Sequence, residues 1–269
     1  MSKLLIKPCA PDTEGCIHEV TPQSAGWSHV GFAVHRLTDG QSLSRETGDR
    51  EICLVLLSGK VAASAGGAEF GVIGGRNSPF EPDPWSLYVP AGSSWRVTAQ
   101  GPCEFAICSA PGKPGREPRL IAPGRVECLT RGSGTNTRHV RNILPETELA
   151  DGLLVVEVIT PSGSWSSYPP HKHDRDALPQ ESLLEETYYH RLSPPQGFAL
   201  QRVYTDDRSL DETLAAEDGD VVLVPKGYHP VAAPHGYELY YLNVMAGPKR
   251  VWKFANDPAH EWMLSRPAS

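Results

Sequence analysis

Short apolar runs broken by turn-forming clusters at 8 to 15-residue spacing leave this chain few folds to choose from. From Val30 to Ala110 the runs VGFAVHRL, EICLVLLSGKV, EFGVIGG, WSLYVPAGSSWRVTA and CEFAICSAP each have strand length and are bounded by Gly, Pro, Asp or Ser. The rhythm pauses in the connector PGKPGREPRLIAP (111–123) and resumes with GLLVVEVIT, GSWSSYPPHKH, EETYYHRL, FALQRVYT, DVVLVPKGYHPVAA and YELYYLNVMAG. With 25 Gly and 25 Pro among 269 residues, long helices have little room. The expectation is an all-β protein of two domains, 1–122 and 123–269. A Pro-Ala-Gly turn in the first half echoes a Pro-Lys-Gly turn in the second, as divergent copies of one unit would. Short helices are expected only at Ser209 to Ala216 and over DPAHEWML at the C-terminus, each opened by Ser or Asp in an N-cap position.

Charge narrows the partners. A net charge of −7 offers no basic face to a phosphate backbone or an anionic membrane, so neither nucleic acid nor membrane is expected as a partner. No stretch approaches the roughly 18 apolar residues of a membrane span, and the opening MSKLLIKPCAPDTEG lacks a signal-peptide core, so a cytoplasmic location is expected. The six cysteines (Cys9, Cys16, Cys53, Cys103, Cys108, Cys128) show no CxxC pairing, which argues against a zinc knuckle or a disulfide framework.

The chemistry concentrates in the second half. On a strand, residues i and i+2 share a face, so His171 and His173 of HKHDRD project side by side while Lys172 faces away. Alone, such a pair is equally a pair of loop histidines bonded to water or backbone. In EETYYHRL, Glu186, Tyr188 and His190 share one face and Glu185, Thr187 and Tyr189 the other. GDVVLVPKGYHP then gives an apolar strand and a turn that delivers His229, with His235 as a weaker alternative. Three imidazoles and a carboxylate suit a divalent cation. In the first half Trp95 of PAGSSW stands where His229 stands in the second, and His18, His29 and His35 are isolated and read as packing residues.

The order HxH, then Glu, then G-D-x-x-x-x-P-x-G-x-H resembles the two signature motifs of the cupin superfamily, jelly-roll β-barrels that hold a divalent metal. The resemblance implies His171, His173, Glu186 and His229 as ligands of zinc, manganese, nickel or iron. Two departures stand out: a long gap between His173 and Glu186, which leaves Glu185 open as the carboxylate, and a single residue between Gly227 and His229. The longer stretches HKHDRDALPQESLLEETYYHRL, GSGTNTRHVRNIL and GPKRVWKFANDPAHEWM are similar to the 5-deoxy-glucuronate isomerases, bicupin enzymes of myo-inositol breakdown. The HxHDR and Glu-x-Tyr elements are shared with related uronate ketol-isomerases of pectin breakdown, and Glu-x-Tyr favours Glu186.

This resemblance implies a metal-free N-terminal cupin, a metal-binding C-terminal cupin and a small-molecule uronate substrate, 5-deoxy-glucuronate, converted to 5-dehydro-2-deoxy-gluconate. His190 and Tyr188 are the candidates for proton transfer, and Arg175 for the substrate carboxylate, with Arg138, Arg141 and Arg191 as alternatives. The rival readings are a metal-dependent dioxygenase on the same ligands and a non-catalytic sugar-acid-binding cupin. Unpaired barrel edges also make room for a homo-oligomer.

Overall fold

In the computed structural model, which describes residues 2–82 and 84–265, nearly all regular structure is β-strand. The chain divides into two compact units: Pro8–Glu127 with Asn142–Val155, and Met1–Lys7 with Cys128–Arg141 and Val156–Ser269.

The first unit is a double-sheet jelly roll. One antiparallel sheet runs Arg119–Ile121, Ser86–Val89, Arg50–Ser58, Cys103–Pro111, Gly31–Leu37, Cys16–Val20; the other runs Ser42–Glu46, Ser94–Ala99, Lys60–Ala65, Ala68–Gly74. Ser94–Ala99 alternates exposed and covered residues, the signature of a strand with one face on a core, whereas Arg50–Ser58 is buried along nearly its whole length. Leu54, Leu56, Val61, Leu87, Val97 and Phe105 meet between the sheets, and Trp95 is part of that core. The segment Asn142–Val155 is anchored to this unit by one carboxylate. Fully buried Glu51 accepts the backbone N–H groups of Asp151, Gly152 and Leu153 at 2.6 to 2.8 Å and the Tyr88 hydroxyl at 2.7 Å. Each of these bonds offsets part of the cost of burying the charge.

The second unit repeats the plan. A sheet ordered Leu5–Ile6, Val221–Val224, Glu185–Ser193, Glu238–Ala246, Leu154–Thr160, Arg138–Leu144, Glu127–Arg131 accompanies a four-stranded sheet, Trp165–Ser166, Val231–Ala232, Phe198–Tyr204, Asp211–Glu217. Glu185–Ser193 lies between Val221–Val224 and Glu238–Ala246, so both its edges are paired and its side chains point into covered space.

Two helix expectations are corrected. Ser209 to Ala216 is not helical: Asp211–Glu217 is a strand paired antiparallel with Phe198–Tyr204, with Leu214 and Ala216 buried and their neighbours exposed. That alternation has period two, and seven registered partners on the neighbouring strand outweigh a modest local helix preference. At the C-terminus the only regular element among the described residues is a 3-10 turn, Glu261–Ser265. One short helix the sequence reading did not foresee, Pro22–Ala25, is closed by a reciprocal cap between Thr21 and Ser24. All six cysteines are free, and among the described residues no helix is long and apolar enough to cross a membrane.

Candidate metal centre

The donor set is assembled from three places in the second unit. His171–Lys172 forms a short strand, Glu186 sits on the central strand, and His229 follows the Pro225-Lys226-Gly227 turn. That turn requires glycine: Gly227 has φ 91°, and a Cβ there would lie 2.4 Å from the Tyr204 carbonyl oxygen. The long gap after His173 is occupied by a hairpin, Asp174–Ala177 paired with Glu181–Leu183, which returns the chain to the barrel in time for Glu186. Asp174 Oδ2 accepts the Gly227 N–H at 2.9 Å and so ties the HxH segment to the turn that carries His229.

Ligand atoms of His173, Glu186 and His229, all buried, lie within 4.8 Å of one another. Backbone carbonyls fix the tautomers. His173 Nδ1 is 3.0 Å from the Leu184 oxygen and His229 Nδ1 is 2.9 Å from the Gly227 oxygen. A carbonyl can only accept, so both Nδ1 atoms carry the proton and each neutral ring presents a bare Nε2 lone pair. Those Nε2 atoms lie 3.1 and 3.2 Å from Glu186 Oε2, while Glu186 Oε1 accepts from Asn243 Nδ2 at 2.6 Å. Among the described residues the buried His229 Nε2 has no hydrogen-bond partner. Lone pairs converging in a buried space favour a positive charge between them, either a proton on His173 Nε2 or a divalent cation.

Titration follows the same geometry. Burial, with the neighbouring His173 charge, lowers His171 to about 3, and burial lowers His229 to about 3. Burial also opposes charge on His173, but the hydrogen bond and charge of Glu186 raise it overall, so this is the ring that collects a proton beside the carboxylate. His171 stands at the edge of the tight group, its ring 5.0 Å from that of His229 and 4.5 Å from that of Phe254.

The group opens onto a narrow cleft with a free volume of about 50 Å³, walled by His171, Glu186, Tyr188, Tyr241, Arg138 and Trp252 among others. Tyr188 bonds Ser167 Oγ at 2.9 Å and Tyr241 bonds Ser166 Oγ. Burial, reinforced for Tyr188 by the Glu186 charge, raises both hydroxyls, so they are hydrogen-bond donors at neutral pH.

Comparison with known proteins fits this arrangement to a family. The KduI/IolB family profile matches residues 4–263. A curated relative from Geobacillus kaustophilus, named 5-deoxy-glucuronate isomerase, is 57% identical and the match covers 98% of this chain and 96% of the relative. The chain belongs to the KduI/IolB family. A Bacillus subtilis relative of the same name is 49% identical over 99% of this chain and all of its own length. The crystal structure of an IolB-like protein from Salmonella typhimurium superposes with a TM-score of 0.94 at 52% identity, covering 97% of this chain and 99% of that one. Oxalate decarboxylase from Bacillus subtilis, at 16% identity and a TM-score of 0.67 over 99% of this chain and 81% of its own, shares the two-barrel cupin fold.

In this KduI/IolB member the geometry sorts the residues singled out from sequence. Glu186, not Glu185, faces His173 and His229, and His235 is exposed outside the group. Tyr188 reaches the cleft but His190 does not. His190 lies one pleat further along the strand, where it is fully buried, 2.9 Å from Gln201 Oε1, with its ring stacked on Tyr188. Arg175 is also outside: its side chain is 63% exposed and its guanidinium lies 2.9 Å from buried Glu181. Arg141 pairs with Glu157 at 2.6 Å and Arg191 with Asp218 at 2.9 Å. Sequence reasoning missed Arg131, Asn243, Trp252 and Phe254 as wall residues. The signal available was the tail motif itself: Ala255–Asn256 pairs with His171–Lys172 and thereby brings Phe254 against His171.

Proposed function

We propose that this chain is an intramolecular aldose–ketose isomerase that converts 5-deoxy-D-glucuronate to 5-dehydro-2-deoxy-D-gluconate, with a divalent metal held by His171, His173, Glu186 and His229. The observation that carries the metal-centred reading is the pair of carbonyl-fixed histidines aiming bare Nε2 atoms at one carboxylate oxygen. The isomerase reading rests on family membership and on relatives of that name matched over nearly the full chain.

The reaction is isomeric and needs no oxidant. One proton moves from C2 to C1 and the hydroxyl proton of O2 ends on O1, so the aldehyde becomes a hydroxymethyl group and C2 a ketone. A bound divalent metal would supply Lewis-acid stabilisation of the negative charge on the oxygens. The chain's own residues supply the rest. Asn243 fixes the Glu186 carboxylate, and the Tyr188 hydroxyl, protonated and braced by Ser167, stands on the cleft wall to hydrogen-bond a substrate oxygen and carry a proton to or from it. Trp252 and Phe254 offer apolar surface that excludes water from the carbons.

Proton NMR of 5-deoxy-glucuronate with the purified protein in deuterated water tests this directly. The 2-deoxy-5-keto acid should form, and deuterium should enter the new hydroxymethyl carbon if the proton exchanges with solvent on its way. Oxygen consumption without that product would favour a dioxygenase instead, and binding without turnover a sugar-acid-binding protein.

The position of His190 leads to a separate expectation. Burial holds its pKa near 4 against the ordinary 6.5, so the unfolded chain binds this proton more readily than the folded one. The resulting stability is fully present above pH 6.5 and is lost as pH falls towards 4, about 3 kcal/mol over that window. His190→Gln should flatten this part of a stability-versus-pH curve while keeping metal content and holding kcat within about tenfold. A hundredfold loss of kcat with metal retained would return His190 to the proton transfer.

A further inference from the structure

Most of the described arginines of the second unit are paired with acids. Arg141 faces Glu157, Arg175 Glu181, Arg191 Asp218 and Arg202 Asp211, each within 2.9 Å. Arg138 and Arg131 break the pattern. Both are half-buried, both line the cleft beside His171, and among the described residues neither has a carboxylate within ion-pair distance. Arg138 Nη1 donates only to the Asn136 carbonyl and side-chain oxygens, at 3.1 and 3.2 Å, and Arg131 lies over the Trp252 ring at 5.8 Å. The loop is built to bring the guanidinium in: Gly132 has φ 75°, and a Cβ there would lie 2.9 Å from Arg138 Nη1 and 2.0 Å from the Asn136 oxygen. Burial lowers the Arg138 pKa, and the like charge of Arg131 lowers it further.

Two neighbouring guanidiniums, desolvated and without an internal counter-ion, are stabilised by an anion that comes from outside. We propose that Arg138, with Arg131 beside it, receives the carboxylate of the uronate and so sets the preference for acid sugars over neutral ones. This rests on the isomerase reading above. A planar fork matches a carboxylate bidentately, which a lysine would not. The aldehyde and C2 hydroxyl would then face the donor group while the carboxylate at the other end of the open-chain substrate meets the arginines.

The test compares wild type with Arg138→Gln, Arg131→Gln and Arg138→Lys on 5-deoxy-glucuronate, by steady-state kinetics and by calorimetric binding, with metal content measured throughout. Arg138→Gln should raise KM and the calorimetric Kd roughly 10²-fold with kcat within a few-fold and metal content unchanged. Arg131→Gln should raise them about tenfold, and Arg138→Lys should fall between wild type and Gln. An unchanged KM and Kd in Arg138→Gln, or a loss confined to kcat, would overturn the assignment. Should Arg138→Gln fail to fold or lose metal, Arg138→Lys decides: a raised Kd with metal retained supports the proposal, and a wild-type Kd sinks it. A wild type that binds the uronate without converting it defeats the isomerase reading, while the Kd values of the variants still judge the carboxylate site.

Discussion

Glu186→Gln and His229→Ala are each expected to cost the protein its metal and lower kcat/KM by about 10³-fold or more. The expectation comes from how completely the neighbours commit these side chains. Carbonyl groups hold both Nδ1 protons, Asn243 takes one Glu186 oxygen, and the other oxygen and both Nε2 atoms point at a common space within 4.8 Å. Removing the carboxylate charge leaves two neutral imidazoles at the core of the site, and removing His229 halves the nitrogen donors there. His171→Ala should be milder, weakening metal affinity about 10 to 100-fold, because its ring stands at the edge of the tight group. Elemental analysis after dialysis, followed by assay with zinc, manganese, nickel and iron added back, gives the answer. Full metal content with turnover within tenfold of wild type in Glu186→Gln would remove this carboxylate from the centre.

Local signals in the sequence were sufficient for the strands and for singling out His173, Glu186 and His229, which the fold brings together, and insufficient wherever a distant partner decides. Gly and Pro punctuate the strands where they occur, and Glu186 and Tyr188 share a strand face because the side-chain period is fixed by the backbone. Asp211–Glu217 is different: its Glu, Leu and Ala residues favour a helix locally, and only pairing with Phe198–Tyr204 makes it a strand. The arginines teach the same point. Arg175 sits in the motif beside the proposed metal ligands, yet its charge is spent on Glu181, whereas Arg138, more than thirty residues before His171, reaches the cleft. Pairing is a property of three-dimensional neighbours, and no spacing rule reveals which cation is left without an acid.

Lys172 is the strongest instance, and Lys172→Met should destabilise the protein by about 3 to 5 kcal/mol. Strand alternation turns Lys172 away from the proposed metal ligands, but away from the site here means into protein: its side chain is only 1% exposed. Its ammonium lies 2.7 Å from Asp174 Oδ1 and 3.1 Å from Glu181 Oε1, and Glu181 is as deeply buried as the lysine. Burial alone would lower the Lys172 pKa; its hydrogen bonds to the Asp174 and Glu181 carboxylates, with their charges, outweigh it and hold the lysine charged. Methionine fills similar volume but leaves the Glu181 charge in the interior with only the exposed Arg175 to answer it. A melting temperature lower by about 10 °C follows for a domain of this size. Asp174 also anchors the Gly227 N–H, so metal affinity should fall with stability, about 10 to 100-fold, although the Lys172 ammonium is not part of the donor group. Lys172→Met/Glu181→Gln separates the causes: neutralising the stranded acid should restore much of the lost stability. Arg175→Ala, which removes only an exposed partner, should cost under about 1 kcal/mol. A melting temperature for Lys172→Met within about 2 °C of wild type would mean that water, not the lysine, balances the two acids.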